Sequence, residues 1–165
     1  MTSDTANKPR KSLIDRLVLV LATGFGVGYI PVMPGTFGSL WGPLLVWGLL
    51  LLKLSIPVYI LVCLLIVLIG IPICTRASHS LEKDDPGSIV YDEIAAFPVV
   101  FAFVELNLTT ALLGFLWFRL FDILKPWPIS LVDRIHGGFG VMADDLVAGV
   151  FAGAALWATV FVFGL

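Results

Sequence analysis

The chain has 165 residues and a formal net charge of −2; 59% of its residues are hydrophobic and only 13% are charged. A soluble domain is usually about 45–50% apolar and about 25% charged, so this composition excludes a water-soluble globular protein. It predicts an all-α integral membrane protein, a single domain over residues 1–165 with a flexible tail at residues 1–12. Nothing in the sequence indicates a nucleic-acid partner, and the oligomeric state stays open.

We expect a helical bundle of about four to five spanning or re-entrant helices, because a span needs about 20 apolar residues. Residues 17–30 are apolar but short, and glycines interrupt them. Irregular backbone at membrane depth needs protein or water around it, so a re-entrant or interfacial helix is the simplest interpretation, and a full crossing stays open. Three further stretches are long enough to span, namely residues 38–54, 56–75 and 146–165.

Residues 94–118 allow two interpretations. They can form one long helix with Glu105 and Asn107 near its middle, or two short helices that turn back at ELNLT with both side chains at the tip. A carboxylate at the centre of a span costs about 2.5–3.5 kcal/mol on insertion scales, and most of this cost disappears at the interface. We therefore expect the hairpin, although each arm of about 12 residues is short for the hydrocarbon core.

The placement of charges supports the hairpin and orients the bundle. With the basic N-terminus in the cytoplasm, the hairpin puts every Lys and Arg except Lys53 on the cytoplasmic side. Every Asp and Glu except Glu105 lies on the same side. Three polar segments then share one membrane face: residues 23–39, 76–93 and 119–145.

Two pairs of acids, Asp92–Glu93 and Asp144–Asp145, each precede an apolar run. Together with Asp122 they would bring five carboxylates to one face, where they would repel one another and raise each other's pKa. A hard divalent cation resolves that repulsion, and oxygen-only ligands suit Mg²⁺ or Mn²⁺. Acids at helix N-termini also complement the helix dipole, which explains one acid per helix but not two.

The segment FRLFDILKPWPI supplies cations beside these acids. If the preceding helix continues through Ile123, Arg119 and Asp122 share a face. Lys125 follows, and Pro126 biases it away from helical geometry. A carboxylate flanked by two cations is suited to binding a phosphate and a metal, whereas a surface stripe of ion pairs with little energetic value is the alternative.

Two other segments offer substrate contacts. The segment TGFGVGYIPVMPGTFGS can present backbone N–H groups to an anion around Gly35, with hydroxyls from Thr36 and Ser39. A purely structural turn is the alternative there. His136 stands close in sequence to the second acidic pair, where an imidazole can donate a proton.

Four motifs, taken in chain order, resemble the phosphatidylglycerophosphatase A family of bacterial membrane phosphatases. They are PVMPGTFGS (31–39), DPGSIVYDE (85–93), FRLFDILKPWPI (118–129) and HGGFGVMADDLVAG (136–149). The resemblance implies Mg²⁺-dependent removal of the terminal phosphate from phosphatidylglycerophosphate, giving phosphatidylglycerol and inorganic phosphate in anionic phospholipid synthesis. It also implies a multi-pass protein of the bacterial inner membrane, with its site facing the cytoplasm and with the phospholipid substrate and the bilayer as partners.

The residue roles follow as hypotheses. We expect metal ligands at Asp92, Glu93, Asp122, Asp144 and Asp145. We expect catalytic roles for Asp92, Arg119, Asp122, Lys125 and Asp145. We expect substrate binding by Gly35, Thr36, Ser39, Arg119, Lys125 and His136. In this hypothesis a metal-activated water attacks phosphorus in line, and a covalent aspartyl-phosphate is the less favoured variant.

An ion-coupled transporter or channel is the competing interpretation, because carboxylates at the membrane edge are also typical of ion pathways. Transport needs polar residues near the bilayer midplane, and the three expected spans contain almost none. A purely structural membrane subunit would have little use for five acids beside Arg119 and Lys125. The sequence therefore favours the enzyme.

Overall fold

Residues 12–83 and 86–164 are described by the computed structural model, and this part of the chain is helical, without strands. The expected tail at residues 1–12 lies, apart from Ser12, outside the described residues. The helices are, in chain order, α1 (Leu13–Ala22), α2 (Pro34–Ser39), α3 (Trp41–Leu51), α4 (Ile56–Leu81), α5 (Tyr91–Val100), α6 (Leu108–Leu124), α7 (Ile129–Val132) and α8 (Gly138–Phe163). A 3₁₀ turn at Val27–Tyr29 stands between α1 and α2. The predicted all-α membrane fold is confirmed.

Three helical stretches in the described part of the chain are long and apolar enough to cross a bilayer. They are Pro34–Leu51, which joins α2 to α3, together with α4 and α8. These correspond to the three predicted spans, but their bounds differ. The first begins at Pro34, a residue well suited to the first position of a helix, and α4 continues beyond residue 75 to Leu81.

The largest difference concerns α8, which begins at Gly138 rather than at residue 146. No proline interrupts the chain between Gly138 and the apolar run, so the helical hydrogen bonds continue through this stretch. Asp144 and Asp145 therefore lie about two turns inside the helix. The prediction that this pair precedes a helix is wrong, and the first-turn dipole explanation does not apply to it.

The hairpin interpretation of residues 94–118 is confirmed, since α5 ends at Val100 and α6 begins at Leu108. At the start of α6, Asn107 Oδ1 accepts a hydrogen bond from Thr110 N–H at 2.9 Å. Thr110 Oγ1 accepts one from Asn107 N–H at 2.8 Å. This reciprocal capping box satisfies amides that a helix start leaves unpaired, so the ELNLT stretch starts a new helix.

The short helix α5 sits in the interior of the bundle. Its ten residues give a length of about 15 Å, too short for a hydrocarbon core of about 30 Å. It packs against α3, α4 and α8. A Cβ on Gly42 of α3 would collide with the Phe97 ring, and that ring meets Phe118 of α6 at a centroid distance of 4.9 Å. Neighbouring helices therefore shelter α5 on several sides.

The helix α1 is also ten residues long and too short to span. A capping box between Ser12 and Asp15 starts it, and Arg76 Nε of α4 donates to Asp15 Oδ1 at 2.8 Å. After the helix, Val90 N–H donates to the Ala22 carbonyl at 2.9 Å. This bond ties the last residue of α1 to the residue just before α5. The helix covers only the first part of the predicted residues 17–30, because the chain leaves it at Thr23 for turns and the 3₁₀ turn at Val27–Tyr29.

Candidate active site

A polar cavity of about 360 Å³ opens at one end of the bundle, where α2, the start of α5, the end of α6 and the first turns of α8 meet. Nine predicted site residues line it: Gly35, Thr36, Asp92, Glu93, Arg119, Asp122, Lys125, Asp144 and Asp145. The predicted set therefore comes together from four separate parts of the chain. Ser39 and His136 belong to the predicted set but do not line this cavity.

Arg119 contacts residues from three of the helices that form the cavity. Its Nη1 donates to Glu93 Oε1 of α5 at 2.9 Å and to Asp122 Oδ2 of α6 at 2.6 Å. A weaker contact of 3.3 Å joins the same nitrogen to Ser39 Oγ. The expected pairing of Arg119 with Asp122 on one helix face is thus confirmed. Arg119 Nε is buried and has no hydrogen-bond partner in the structure, so one guanidinium donor is left for a ligand.

Ser39 lies behind the cavity, with none of its surface exposed. Its hydroxyl lies 2.7 Å from Glu93 Oε2 and 2.8 Å from the Gly35 carbonyl oxygen, either of which can accept its proton. The short helix α2 packs directly on the same carboxylate, since a Cβ on Gly35 would collide with Glu93 Oε1. Ser39 therefore supports Glu93. Thr36, which does line the cavity, has a buried hydroxyl without a hydrogen-bond partner.

Lys125 ends α6 in the left-handed region, with φ at 41°, a common way for a helix to end, and it thus leaves helical geometry before Pro126 as expected. Its Nζ donates to Asp144 Oδ2 at 2.6 Å and also to Asp133 Oδ1. Burial alone would lower the pKa of Lys125, but the hydrogen bonds and charges of these two carboxylates outweigh burial and raise it. The lysine is therefore a fixed cation at the cavity wall.

Asp133 is the residue that the sequence reasoning missed. It follows α7 (Ile129–Val132), and its carboxylate returns to Lys125 across the KPWP turn. The two prolines that bracket Trp127 were the available signal, because such a turn brings the residues before and after it together. Asp133 adds a third element to the support of Lys125, alongside α6 and α8.

Asp92 and Asp145 are the most deeply buried acids of the cavity, at 6% and 4% exposure. Asp92 Oδ1 accepts a hydrogen bond from Glu93 N–H at 3.0 Å. The charge of Asp145 interacts with those of the other four predicted acids. Among the residues that line the cavity, five carboxyl groups face two cations, Arg119 and Lys125, so the acids outnumber the cations.

His136 lies in a neighbouring cavity of about 190 Å³, together with Asp133 and Asp144. Asp144 and Val141 line both cavities. His136 itself does not line the main cavity, and its predicted contact with substrate stays a prediction.

The acids were expected to hold a metal. Within residues 12–83 and 86–164, no three or more His, Cys, Asp and Glu side chains form a ready metal site; Arg119 and Lys125 hold several carboxylate oxygens instead. The donor set still fits a hard divalent cation. All the donors are carboxylate oxygens, the acids outnumber the cations, and Asp144 Oδ1 is buried with no hydrogen-bond partner.

The fold and the cavity define a class: helical membrane proteins with an acid-lined polar site at one end of the bundle that also carries an arginine and a lysine. The sequence profile described as Phosphatidylglycerophosphatase A matches residues 20–160. Phosphatidylglycerophosphatase A of Haemophilus influenzae is 40% identical over 153 residues, 90% of this chain and 92% of the relative. Phosphatidylglycerophosphatase A of Escherichia coli is 40% identical over 140 residues, 84% of this chain and 80% of the relative.

A relative from Bacteroides thetaiotaomicron, provisionally named a phosphatidylinositol-3-phosphatase, is 31% identical over 142 residues, 82% of this chain and 89% of the relative. No solved structure gives a significant match. The chain belongs to the phosphatidylglycerophosphatase A family, as its four motifs indicated. It is accordingly an enzyme, a phosphoric monoester hydrolase, in a bacterial membrane.

Proposed function

We propose that this protein hydrolyses phosphatidylglycerophosphate to phosphatidylglycerol and inorganic phosphate. The names of the two relatives at 40% identity support this substrate. The structural observation that carries the proposal is the cavity where Arg119 and Lys125 stand beside buried carboxylates at the end of a membrane bundle. There a lipid can keep its acyl chains among apolar helices while its phosphate enters a polar site.

The unsatisfied polar atoms of the cavity suit a phosphoryl group. Arg119 Nε and Thr36 Oγ1 are buried without hydrogen-bond partners, and buried donors of this kind are normally satisfied. Phosphate oxygens would accept from both. Glu93 and Asp122 hold the guanidinium in place, so its planar fork is oriented before substrate arrives. Lys125 supplies the second positive charge.

The acids divide by their partners. Glu93 and Asp122 bind Arg119, and Asp144 Oδ2 binds Lys125. Asp144 Oδ1 has no hydrogen-bond partner, and Asp92 and Asp145 are the most deeply buried acids of the cavity wall. We assign Asp92, Asp144 and Asp145 as the main Mg²⁺ ligands, with Glu93 and Asp122 completing the set. When bound, the ion supplies the positive charge that lets five carboxylates and a phosphate share one cavity. Asp92 and Asp145 would orient the attacking water, and Asp122, the catalytic acid outside the main ligands, would accept its proton as the bond from phosphorus to the glycerol oxygen breaks.

We also propose the bacterial inner membrane as the location, with several crossings and the cavity on the cytoplasmic side. The hairpin of α5 and α6 supports this orientation, because it returns the segment from Arg119 to Asp145 to the face that carries the residues before α5. With that connectivity, the distribution of Lys and Arg follows the positive-inside rule.

The direct test is phosphate release by the purified protein in detergent, with phosphatidylglycerophosphate as substrate. Release with Mg²⁺ and none with EDTA is expected, and phosphatidylinositol 3-phosphate provides the comparison of headgroups. No release with any divalent cation would refute the proposal and favour an ion pathway. If acid-quenched protein carries a hydroxylamine-sensitive phosphate, the reaction proceeds through a covalent aspartyl-phosphate and not by direct attack of water on the substrate.

Carboxylate variants provide the matched comparison. Asp122→Asn, Asp92→Asn and Asp145→Asn should each abolish turnover and leave membrane insertion intact. Glu105→Gln makes the same chemical change at the hairpin turn between α5 and α6, and it should be nearly silent. A strong loss of activity in Glu105→Gln would contradict the proposed topology.

A further inference from the structure

Lys125 is held by carboxylates from two different elements. Its ammonium donates to Asp144 Oδ2 of α8 at 2.6 Å and to Asp133 Oδ1, just after α7. Lys125 lines the main cavity, whereas Asp133 lines the neighbouring cavity. The lysine is therefore held by one carboxylate that lines the main cavity, that of Asp144, and by one that lines only the neighbouring cavity, that of Asp133.

An ammonium group has three N–H donors. Asp133 and Asp144 accept two of those of Lys125, which leaves one for a ligand in the main cavity. Asp144 also belongs to the proposed metal ligands, so metal binding competes with Lys125 for its oxygens. Asp133 lies outside that set, so its contact with Lys125 does not compete with metal binding.

We propose that Asp133 is a positioning residue for phosphate binding. It holds the Lys125 ammonium at the cavity wall so that the remaining N–H donor meets a phosphoryl oxygen. This inference rests on the proposed function insofar as it takes phosphate as the ligand. Inorganic phosphate, the expected product, is a sufficient probe, and no lipid turnover is needed to test the idea.

For Asp133→Asn, a role of Asp133 through its charge and a role through the positioning of Lys125 predict opposite changes in phosphate binding. If only the charge of Asp133 mattered, its removal would tighten the binding of an anion nearby. If Asp133 positions Lys125, the loss of the anchor weakens binding. We expect the Kd of inorganic phosphate, measured by isothermal titration of the detergent-purified protein with Mg²⁺ present, to rise about fivefold. Asp133→Glu keeps a carboxylate at this position on a longer side chain, and the Kd of its phosphate complex should stay within about twofold of the wild-type value.

A double-mutant cycle shows whether Asp133 acts through Lys125. Lys125→Ala alone should weaken phosphate binding, and adding Asp133→Asn to it should change the Kd no further. The matched control is Glu105→Gln, which should leave the Kd unchanged. The Asp133 carboxylate side chain is 42% exposed, so its variants should keep the melting temperature of wild type.

An Asp133→Asn protein that binds phosphate as well as wild type, or better, overturns the inference. Additive effects of the two substitutions overturn it as well, and so does a wild-type protein that binds no phosphate. The proposed function fails separately: a protein that binds phosphate with the expected pattern but releases none from phosphatidylglycerophosphate refutes the substrate and supports the role of Asp133.

Discussion

Arg119 and its partners show what the site requires of a single side chain. One nitrogen, Nη1, contacts Glu93, Asp122 and Ser39, whereas Nε is buried without a hydrogen-bond partner. The charge of Arg119 compensates the acids, and its planar shape orients the remaining donors. These two contributions can be separated, because lysine has the charge without the shape.

Arg119→Lys should therefore lower kcat/KM about 100-fold, the size of effect seen when one oriented donor to a transition-state oxygen is lost. The ion pairs to the carboxylates are largely kept, so the melting temperature should change little. Phosphate-release kinetics and thermal unfolding in detergent measure the two effects. A fully active Arg119→Lys protein would show that the site needs only a positive charge there.

Ser39→Ala tests the support of Glu93. The substitution removes a buried hydroxyl that contacts a buried carboxylate oxygen at 2.7 Å, so we expect a loss of about 1–3 kcal/mol in the free energy of unfolding. Turnover should also fall, because Glu93 and Arg119 lose a shared contact. The matched control is Ser78→Ala, since the Ser78 hydroxyl is buried without a partner. Equal effects of the two substitutions would contradict the role given to Ser39.

At the scale of elements, the burial of α5 depends on close packing against α3. Gly42 allows the Phe97 ring to lie against the α3 backbone, and Phe97 in turn contacts Phe118 of α6. Asp92 and Glu93 occupy the first turn of α5. The position of this short helix therefore sets the position of two acids, and its packing bears directly on the cavity.

Gly42→Ala should destabilise the protein by about 1–3 kcal/mol, since the added methyl group must displace a buried aromatic ring. Gly48→Ala in the same helix is the control, because a Cβ there meets open space. That change should be neutral or stabilising by up to about 1 kcal/mol, as expected for glycine to alanine inside a helix. Unfolding in detergent compares the two, and equal stability would contradict the tight contact between α3 and α5.

At the scale of the whole molecule, the arrangement of helices brings acids that are far apart in the chain to one end of the bundle. Lys83→Cys and Arg134→Cys, both at exposed positions, should react with a membrane-impermeant maleimide from the same side of sealed vesicles. Phe103→Cys, at the turn between α5 and α6 and 85% exposed, should react from the opposite side. Each change is made in a background without Cys63 and Cys74. Labelling of Lys83→Cys and Arg134→Cys from opposite sides would refute the shared face.

Much of this arrangement could be predicted from the sequence, because spacing and hydrophobicity carry it. The pairing of Arg119 with Asp122 follows from helical spacing, and the hairpin follows from the cost of Glu105 inside a span. The start of α8 was misplaced because the span was delimited by its apolar run, whereas the helix continues through the polar stretch before it, where Gly138 packs against Ile71 and Thr75 of α4. The link between Asp133 and Lys125 depends on the course of the KPWP turn, which no periodicity encodes.

The unbroken helix α8 has one more consequence. Asp144 and Asp145 lie on the same rod that continues to Phe163 through the apolar core. A membrane thicker or thinner than this rod changes its inclination, and any such change shifts both aspartates relative to the acids on α5. The rate of hydrolysis should therefore vary with the acyl-chain length of the host vesicles and reach a maximum at one bilayer thickness. The activity of the enzyme would then depend on the bulk lipid that surrounds it as well as on its substrate.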